Sequence, residues 1–255
     1  MNAPNGFALS MRDIGKRFDD NEVLRHVDLD IPRGQRHALI GPNGAGKTTL
    51  FDIASGRMAA TSGSVCLDDE DISRLPPHAR ATRGMARSFQ ITSLFPALSV
   101  FENLRSAVLA ALPQRYALWR SLNGMRDVGA RADSVLASIG LESRRHDAAS
   151  ELSYAEQRAL ELGVTVAAGA SVILLDEPTA GMSSSETTAA IALIRRLTEG
   201  RTLLIIEHDM NVVFDLADQV SVLVRGELIA SGTPAAVRAD VRVQTAYLGR
   251  SASAA

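Results

Sequence analysis

Apolar and polar residues alternate in two short runs near the start of the chain, Phe7-Ala8-Leu9-Ser10-Met11 and Val27-Asp28-Leu29-Asp30-Ile31. A period of two puts one set of side chains on a buried face, so residues 7–32 read as a β-rich entry ending at Pro32 and Gly34. A further strand is predicted at Gly63–Leu67, ended by the acidic run Asp68–Asp71. Elsewhere the apolar runs are continuous rather than alternating: Arg36–Ile40, Ser171–Asp176, Thr202–Glu207 and Val220–Val224. Such runs suit strands covered on both faces, as in a parallel sheet. Helical signals lie between them. Leu50–Ala54 reads as a helix closed by Gly56, Ser185–Thr198 as an amphipathic helix, and Met210–Ala217 as another. Gly226 and Gly232 mark turns, and Pro234–Arg238 starts a last helix.

Residues 91–165 break this alternation. Ser99 opens a helix as N-cap, with Glu102 closing a capping box. Ala130–Ile139 is a second predicted helix, stopped by Gly140, and Leu112–Gly129, with Pro113, Trp119 and Gly124, is the least regular part. The pattern predicts an α/β fold of one domain, 1–255, with a mainly helical lobe at 91–165 inserted into it. No internal repeat or low-complexity linker is evident, and the Ser-Ala tail after Gly249 reads as frayed.

Composition narrows the partners. A net charge of −2 gives no electrostatic basis for binding nucleic acid or an anionic membrane surface. The single cysteine, Cys66, has no intrachain partner and reads as an inert thiol in a strand. The start, Met1–Gly6, lacks the basic and apolar regions of a signal peptide. The weakly apolar stretch Gly163–Leu175 is too short to span a bilayer, so work at a membrane would go through a partner.

The densest chemistry lies at Gly41-Pro42-Asn43-Gly44-Ala45-Gly46-Lys47-Thr48-Thr49, between a predicted strand and a predicted helix. It fits G-x-x-x-x-G-K-[ST], in which glycines let backbone N–H groups turn around phosphate oxygens. Lys47 is expected to reach the β- and γ-phosphates and the Thr48 hydroxyl to ligate Mg²⁺. The bland alternative, a glycine-rich turn before a helix, does not account for the lysine; only Lys16 and Lys47 are lysines in this chain. Asp176 and Glu177 follow a buried apolar strand, at the end where α/β sheets bind ligands. Asp176 is suited to Mg²⁺ and Glu177 to activating water as general base. Read alone, Asp176-Glu177-Pro178 is also a strand-ending turn. His208 follows the next buried strand and suits a hydrogen bond to a γ-phosphate; His37 reads as structural, and His26, His78 and His146 as ordinary surface or core histidines.

Together these residues resemble the ATP-binding subunit of an ABC transporter across residues 7–249. The resemblance implies a P-loop NTPase core with an N-terminal antiparallel β subdomain and an inserted helical subdomain. It makes Gly41–Thr48 the Walker A loop, Val172–Asp176 the Walker B strand, and Glu177 the catalytic carboxylate. Gln90 stands at the Q-loop position as a Mg²⁺ or water contact, His208 at the switch position, and Ala180-Gly181-Met182-Ser183 at the D-loop. Phe18 stands where an aromatic stacks on adenine; a strand-core phenylalanine is the alternative. Leu152-Ser153-Tyr154-Ala155-Glu156-Gln157-Arg158 stands at the signature sequence, with Ser153, Ala155 and Glu156 facing the nucleotide of a second ATPase subunit. The cofactors implied are ATP and Mg²⁺. The partners implied are that second subunit, membrane permease subunits docking near Gln90–Phe101, and, indirectly, a periplasmic binding protein, at the cytoplasmic face of the inner membrane. Tyr154, Ile206–Met210 and Ala246-Tyr247-Leu248-Gly249 resemble the branched-chain amino-acid uptake branch, whose relatives handle amides and urea; lipopolysaccharide-export ATPases share a similar tail. ABC ATPases of translation or repair usually carry two cassettes or a long coiled coil, whereas this chain has one cassette and no heptad run.

Three positions depart from the family pattern. Ala155 replaces a glycine, so that its methyl would crowd the closed dimer or its backbone would lose an angle that glycine allows. Ser183 replaces the D-loop aspartate and puts its cross-dimer contact in question. Glu156 replaces a commoner glutamine and brings negative charge toward phosphates unless it points away. A slow, nucleotide-dependent dimerisation module is the alternative that Ala155 raises.

Overall fold

The computed structural model describes residues 6–88, 94–111 and 122–248. In chain order the elements are β1 (Phe7–Phe18), β2 (Asn21–Pro32), β3 (Arg36–Ile40), α1 (Lys47–Ser55), β4 (Ser62–Leu67), β5 (Glu70–Asp71) and α2 (Pro77–Ala81). Next come β6 (Met85–Arg87), α3 (Val100–Ala110), α4 (Leu122–Ile139), α5 (Tyr154–Ala167), β7 (Val172–Asp176) and α6 (Ser184–Leu197). The chain closes with β8 (Thr202–Ile206), α7 (Met210–Leu216), β9 (Gln219–Val224), β10 (Glu227–Gly232), α8 (Pro234–Ala239) and α9 (Val241–Leu248). These elements form two compact units, one running through Arg80 and resuming at Gly200, the other Ala81–Glu199.

The first unit holds the predicted β-rich entry as an antiparallel sheet in the order β2-β1-β4-β5. Leu9, Met11 and Ile14 of β1 face Leu24, Val27, Leu29 and Ile31 of β2 as its buried side. The same unit contains the parallel strands β8, β3 and β9, with β10 returning antiparallel on β9. Their continuous apolar runs are buried as expected. His37 is structural: its Nε2 lies 2.8 Å from the Ser221 hydroxyl, and burial lowers its pKa to about 4, so the imidazole is neutral near neutrality. Cys66 in β4 keeps its proton, since partial burial and then Asp71 and Asp69 raise the thiol pKa.

In the second unit β6 pairs in parallel with β7, and α3, α4 and α5 pack on one another. The predicted capping box of α3 is present: the Ser99 hydroxyl accepts the Glu102 N–H, and the Glu102 carboxylate accepts the Ser99 N–H at 2.9 Å.

Three expectations need correction. The helix expected from Ala130 starts at Leu122, so part of the irregular stretch is helical. A side chain at Gly129 would meet only open space, so the helix passes through it at the modest cost of glycine, about 1 kcal/mol. Gly226 lies in a turn as expected, the hairpin turn that it forms with Arg225 at φ 84° and 49°, but Gly232 is the last residue of the strand Glu227–Gly232 and not a turn. The last helix is two, because extended Asp240 ends α8 and its carboxylate accepts the Arg242 N–H at the start of α9. The short elements α2 and β6 had no periodicity long enough to announce them.

Arg80, on α2, fixes the far end of α1. It is 2% exposed, and Nη1 donates to the Ile53 and Ala54 carbonyls in the last turn of that helix at 2.8 and 2.7 Å. Nε and Nη2 donate to the Leu75 and Ser73 carbonyls. A cation on the carbonyls of a helix C-terminus is favourably placed in the helix dipole. Arg80→Met keeps the apolar stem and orphans these acceptors, so it is expected to cost about 3 kcal/mol. Urea unfolding measures this; a loss below about 1 kcal/mol would show that water replaces the guanidinium.

Candidate functional site

The chain leaves β3 at Ile40 and turns into α1 through three glycines with positive φ: 154° at Gly41, 78° at Gly44 and 103° at Gly46. They serve different ends. A Cβ on Gly41 would collide with the Leu223 carbonyl of β9, and one on Gly46 would lie 2.8 Å from Leu24 Cδ2 and 3.1 Å from the Val23 carbonyl. These two seat the loop on its neighbours. A Cβ on Gly44 would meet nothing within 4 Å, so there the bare backbone faces solvent. The turn expected at Gly226 lies beneath, with a contact that the sequence did not foretell: Gly226 N–H donates to the Ala45 carbonyl at 3.0 Å, and Arg25 N–H to the Gly226 carbonyl at 2.9 Å.

The helix that follows is unusual in its start. Helices α3, α5, α6, α7 and α8 each begin with a side chain that accepts a first-turn N–H: Ser99, Ser153, Ser183, Asp209 and Thr233. Helix α1 begins at Gly46 with no side-chain cap. Its first-turn amides carry the positive end of the helix dipole and the N-cap offers them no side chain, a combination that suits a phosphate. Lys47 Nζ folds onto the loop, donating to the Gly41 and Pro42 carbonyls at 2.7 and 3.1 Å, while Thr48 is exposed and Thr49 partly so.

Parallel pairing of Leu39 with Ile206 brings the end of β8 to the same sheet edge as this loop. Glu207 is buried there and its carboxylate accepts the His208 N–H at 3.2 Å, while the His208 side chain is exposed. Phe18 ends β1 at 43% exposure, with Lys16 Nζ 4.8 Å from its ring centroid, so it is not a strand-core residue. Gln90 lies outside the described residues.

The second unit holds the acidic pair. Asp176 ends β7 at 5% exposure, its N–H on the Ser88 hydroxyl at 3.3 Å and its carboxylate 3.4 Å from Arg87 Nη2. Arg87 was not singled out from sequence; one charged residue in a three-residue strand leaves no pattern to find. Glu177 has a left-handed backbone, φ 46°, an uncommon and strained state for a residue with a Cβ.

The signature stretch opens α5. Ala155 occupies its second position, with no left-handed backbone angle, so the expected loss of a glycine-only angle is excluded and only the methyl itself remains in question. Glu156 closes a capping box: its carboxylate accepts the Ser153 N–H at 2.8 Å and pairs with Arg144 at 3.1 Å. The Ser153 N–H, the Ser153 hydroxyl and then Arg144 lower its pKa, so its charge is held and partly neutralised. Ser183 caps α6 in the same way, with Glu186 accepting its N–H at 2.8 Å. Serine and aspartate are about equal as N-caps, so this departure preserves the helix start. Among the described residues no cluster of three or more His, Cys, Asp or Glu forms a protein cage for a metal. Mg²⁺ at a phosphate needs none, since it is held by one or two protein oxygens with phosphates and water.

Comparison with known proteins agrees with this geometry. Residues 24–180 match the family model described as ABC transporter, and residues 227–253 match that for a branched-chain amino acid ATP-binding cassette transporter. The chain is 34% identical over 251 residues to the high-affinity branched-chain amino acid transport ATP-binding protein LivG of Escherichia coli K12, covering 94% of this chain and 97% of that one. It is also 34% identical, over 242 residues and with the same coverage, to the lipopolysaccharide export system ATP-binding protein LptB of that strain. The crystal structure of the ADP conformation of MJ1267, an ATP-binding cassette of an ABC transporter, superposes with a TM-score of 0.83 at 26% identity, covering 95% of this chain and 99% of that one. With α1 uncapped behind its glycine loop and both sequence and fold matching over nearly the full length, the chain belongs to the ATP-binding subunits of ABC transporters, an ATPase family.

Proposed function

We propose that this chain binds and hydrolyses ATP as one of two ATPase subunits that power an importer of branched-chain amino acids or related amides. The observation that carries the nucleotide role is the start of α1, where a glycine loop and Lys47 open a helix whose N-cap, Gly46, has no side chain to offer its first-turn amides. Phosphates would take those amides and draw Lys47 off the loop carbonyls, with Phe18 against the adenine. Thr48, Asp176 and Gln90 would hold Mg²⁺, which neutralises phosphate charge when bound. Glu177 accepts the proton of the water that attacks the γ-phosphorus, ADP departs from the phosphorus on the opposite side, and His208 donates a hydrogen bond to the γ-phosphate. Ser153, Ala155 and Glu156 face the nucleotide of the second subunit, so each chain supplies half of two sites.

No helix among the described residues is long and apolar enough to cross a membrane, which suits a peripheral subunit on the cytoplasmic face working through permeases. Asn103 prepares a docking loop for them. It is buried; its Oδ1 accepts the Phe95 N–H at 2.8 Å, and its Nδ2 donates to the Phe95, Leu98 and Ser99 carbonyls. That staple presents Phe95 at 57% exposure. The match of residues 227–253 to the branched-chain model, together with the identity to LivG over 251 residues, supports the import reading. That segment includes β10 and α9, whose Ile229 and Thr245 line a cleft of about 890 Å³ together with Asn43 and Gly44.

Uptake of labelled leucine by cells carrying Lys47→Ala tests the import reading; uptake equal to wild type would remove it. Ala155→Gly tests whether the methyl slows turnover. Because the position is helical, glycine brings no backbone relief and a stability cost of up to about 1 kcal/mol. A steady-state rate several-fold above wild type is expected from uncrowding alone; an unchanged rate would show that the closed site already accommodates alanine.

A further inference from the structure

Tyr154 opens α5 and is 46% exposed, so apolar burial gives little reason for an aromatic there. Its hydroxyl, by contrast, is fully engaged. It donates to the Ala180 carbonyl at 2.8 Å and accepts Nε and Nη2 of Arg158 at 3.1 and 3.0 Å. One donor and two lone pairs are thus all used. Arg158 is held from behind by Glu161 at 2.8 Å, with side-chain exposures of 20% and 11%. A guanidinium on a hydroxyl makes that hydroxyl a stronger donor, here toward Ala180. Gly181 keeps the approach open: a Cβ there would sit 3.3 Å from the Tyr154 oxygen, tighter than an ordinary contact. Ala180 N–H in turn donates to the Glu177 carbonyl at 3.1 Å. Two hydrogen bonds joined through one residue, Ala180, therefore run from the first turn of the signature helix to the strained backbone of Glu177.

We infer that Tyr154 is a positioning residue that holds the start of α5 and the Glu177 segment in one register. This rests on the proposed site shared between two subunits. In that arrangement the same chain shows Ser153 and Ala155 to its partner's nucleotide and Glu177 to its own, and the tyrosine makes one event felt at the other.

Tyr154→Phe removes a single oxygen. Turnover is expected to fall about fivefold with KM for ATP within about twofold, because the P-loop is untouched. In a Glu177→Gln background, the ATP concentration that drives half-maximal dimerisation, read by light scattering, is expected to rise about fivefold. Arg158→Leu keeps the donor and removes its polariser, so a smaller fall in turnover in the same direction is expected even if the phenylalanine variant folds poorly. Wild-type turnover and an unshifted dimerisation threshold in Tyr154→Phe overturn the inference. So does a lower Tm with unchanged kcat, which marks a merely structural contact. If Glu177→Gln alone stays monomeric under saturating ATP, the shared-site reading falls and takes this one with it. If it dimerises and the added Tyr154→Phe changes nothing, this inference alone fails.

Discussion

Glu177→Gln is expected to lower ATP turnover by about 10² to 10⁴-fold while ATP stays bound. Glutamine keeps the size of the side chain and its hydrogen-bonding oxygen, and removes only the capacity to accept a proton. Glu177 stands just beyond β7 in a left-handed backbone that most side chains avoid. Such strain costs on the order of 1–3 kcal/mol and persists only where the surroundings impose it. Here the Ala180 N–H holds the Glu177 carbonyl, and Tyr154 holds Ala180. A glutamine in the same setting is expected to adopt the same backbone, so the variant isolates the chemistry from the geometry. With hydrolysis blocked, ATP acts as a lasting link between two chains, and a dimer is expected under Mg²⁺ and ATP by light scattering. Turnover within tenfold of wild type would remove Glu177 as the general base. Loss of ATP binding together with turnover would show instead that the substitution disturbs the fold.

Much of this site is legible in the amino-acid order because it consists of backbone. Glycine at 41, 44 and 46 is demanded by left-handed angles, and Lys47 and Thr48 follow at fixed spacing, so one short run records the whole cradle. The apolar runs that became β3, β7, β8 and β9 are legible for a related reason: burial on both faces leaves no place for polar residues. What escaped notice is carried by single side chains acting over long sequence distances. Arg80 reaches Ile53 and Ala54, and Arg87 reaches Asp176. Neither of these has a period or a motif. The departures at Glu156 and Ser183 looked like losses because their expected roles lay across a dimer. Within the chain they are helix caps, and their local hydrogen bonds account for the residue types.

Gly41→Ala and Gly44→Ala should part company although both break the same motif. At Gly44 the added methyl meets only solvent, and the cost is the left-handed angle itself, about 1–2 kcal/mol. The loop can keep its shape there, and ATP binding is expected to weaken by no more than about tenfold. At Gly41 the methyl runs into the Leu223 carbonyl, a backbone atom of β9. That strand pairs with β3 on one side, Ile40 against Val222, and with β10 on the other, so neither partner can retreat without opening a ladder. The loop itself is pinned from below by Gly226 on Ala45. The expected cost is about 3 kcal/mol or more, with ATP binding weakened by more than about a hundredfold in protein that is still folded. Calorimetric unfolding and equilibrium dialysis with ATP measure the two effects separately. If Gly41→Ala bound ATP as well as Gly44→Ala, the cradle would tolerate displacement of its first residue, and the seating of the loop on β9 would not be what positions the phosphate amides.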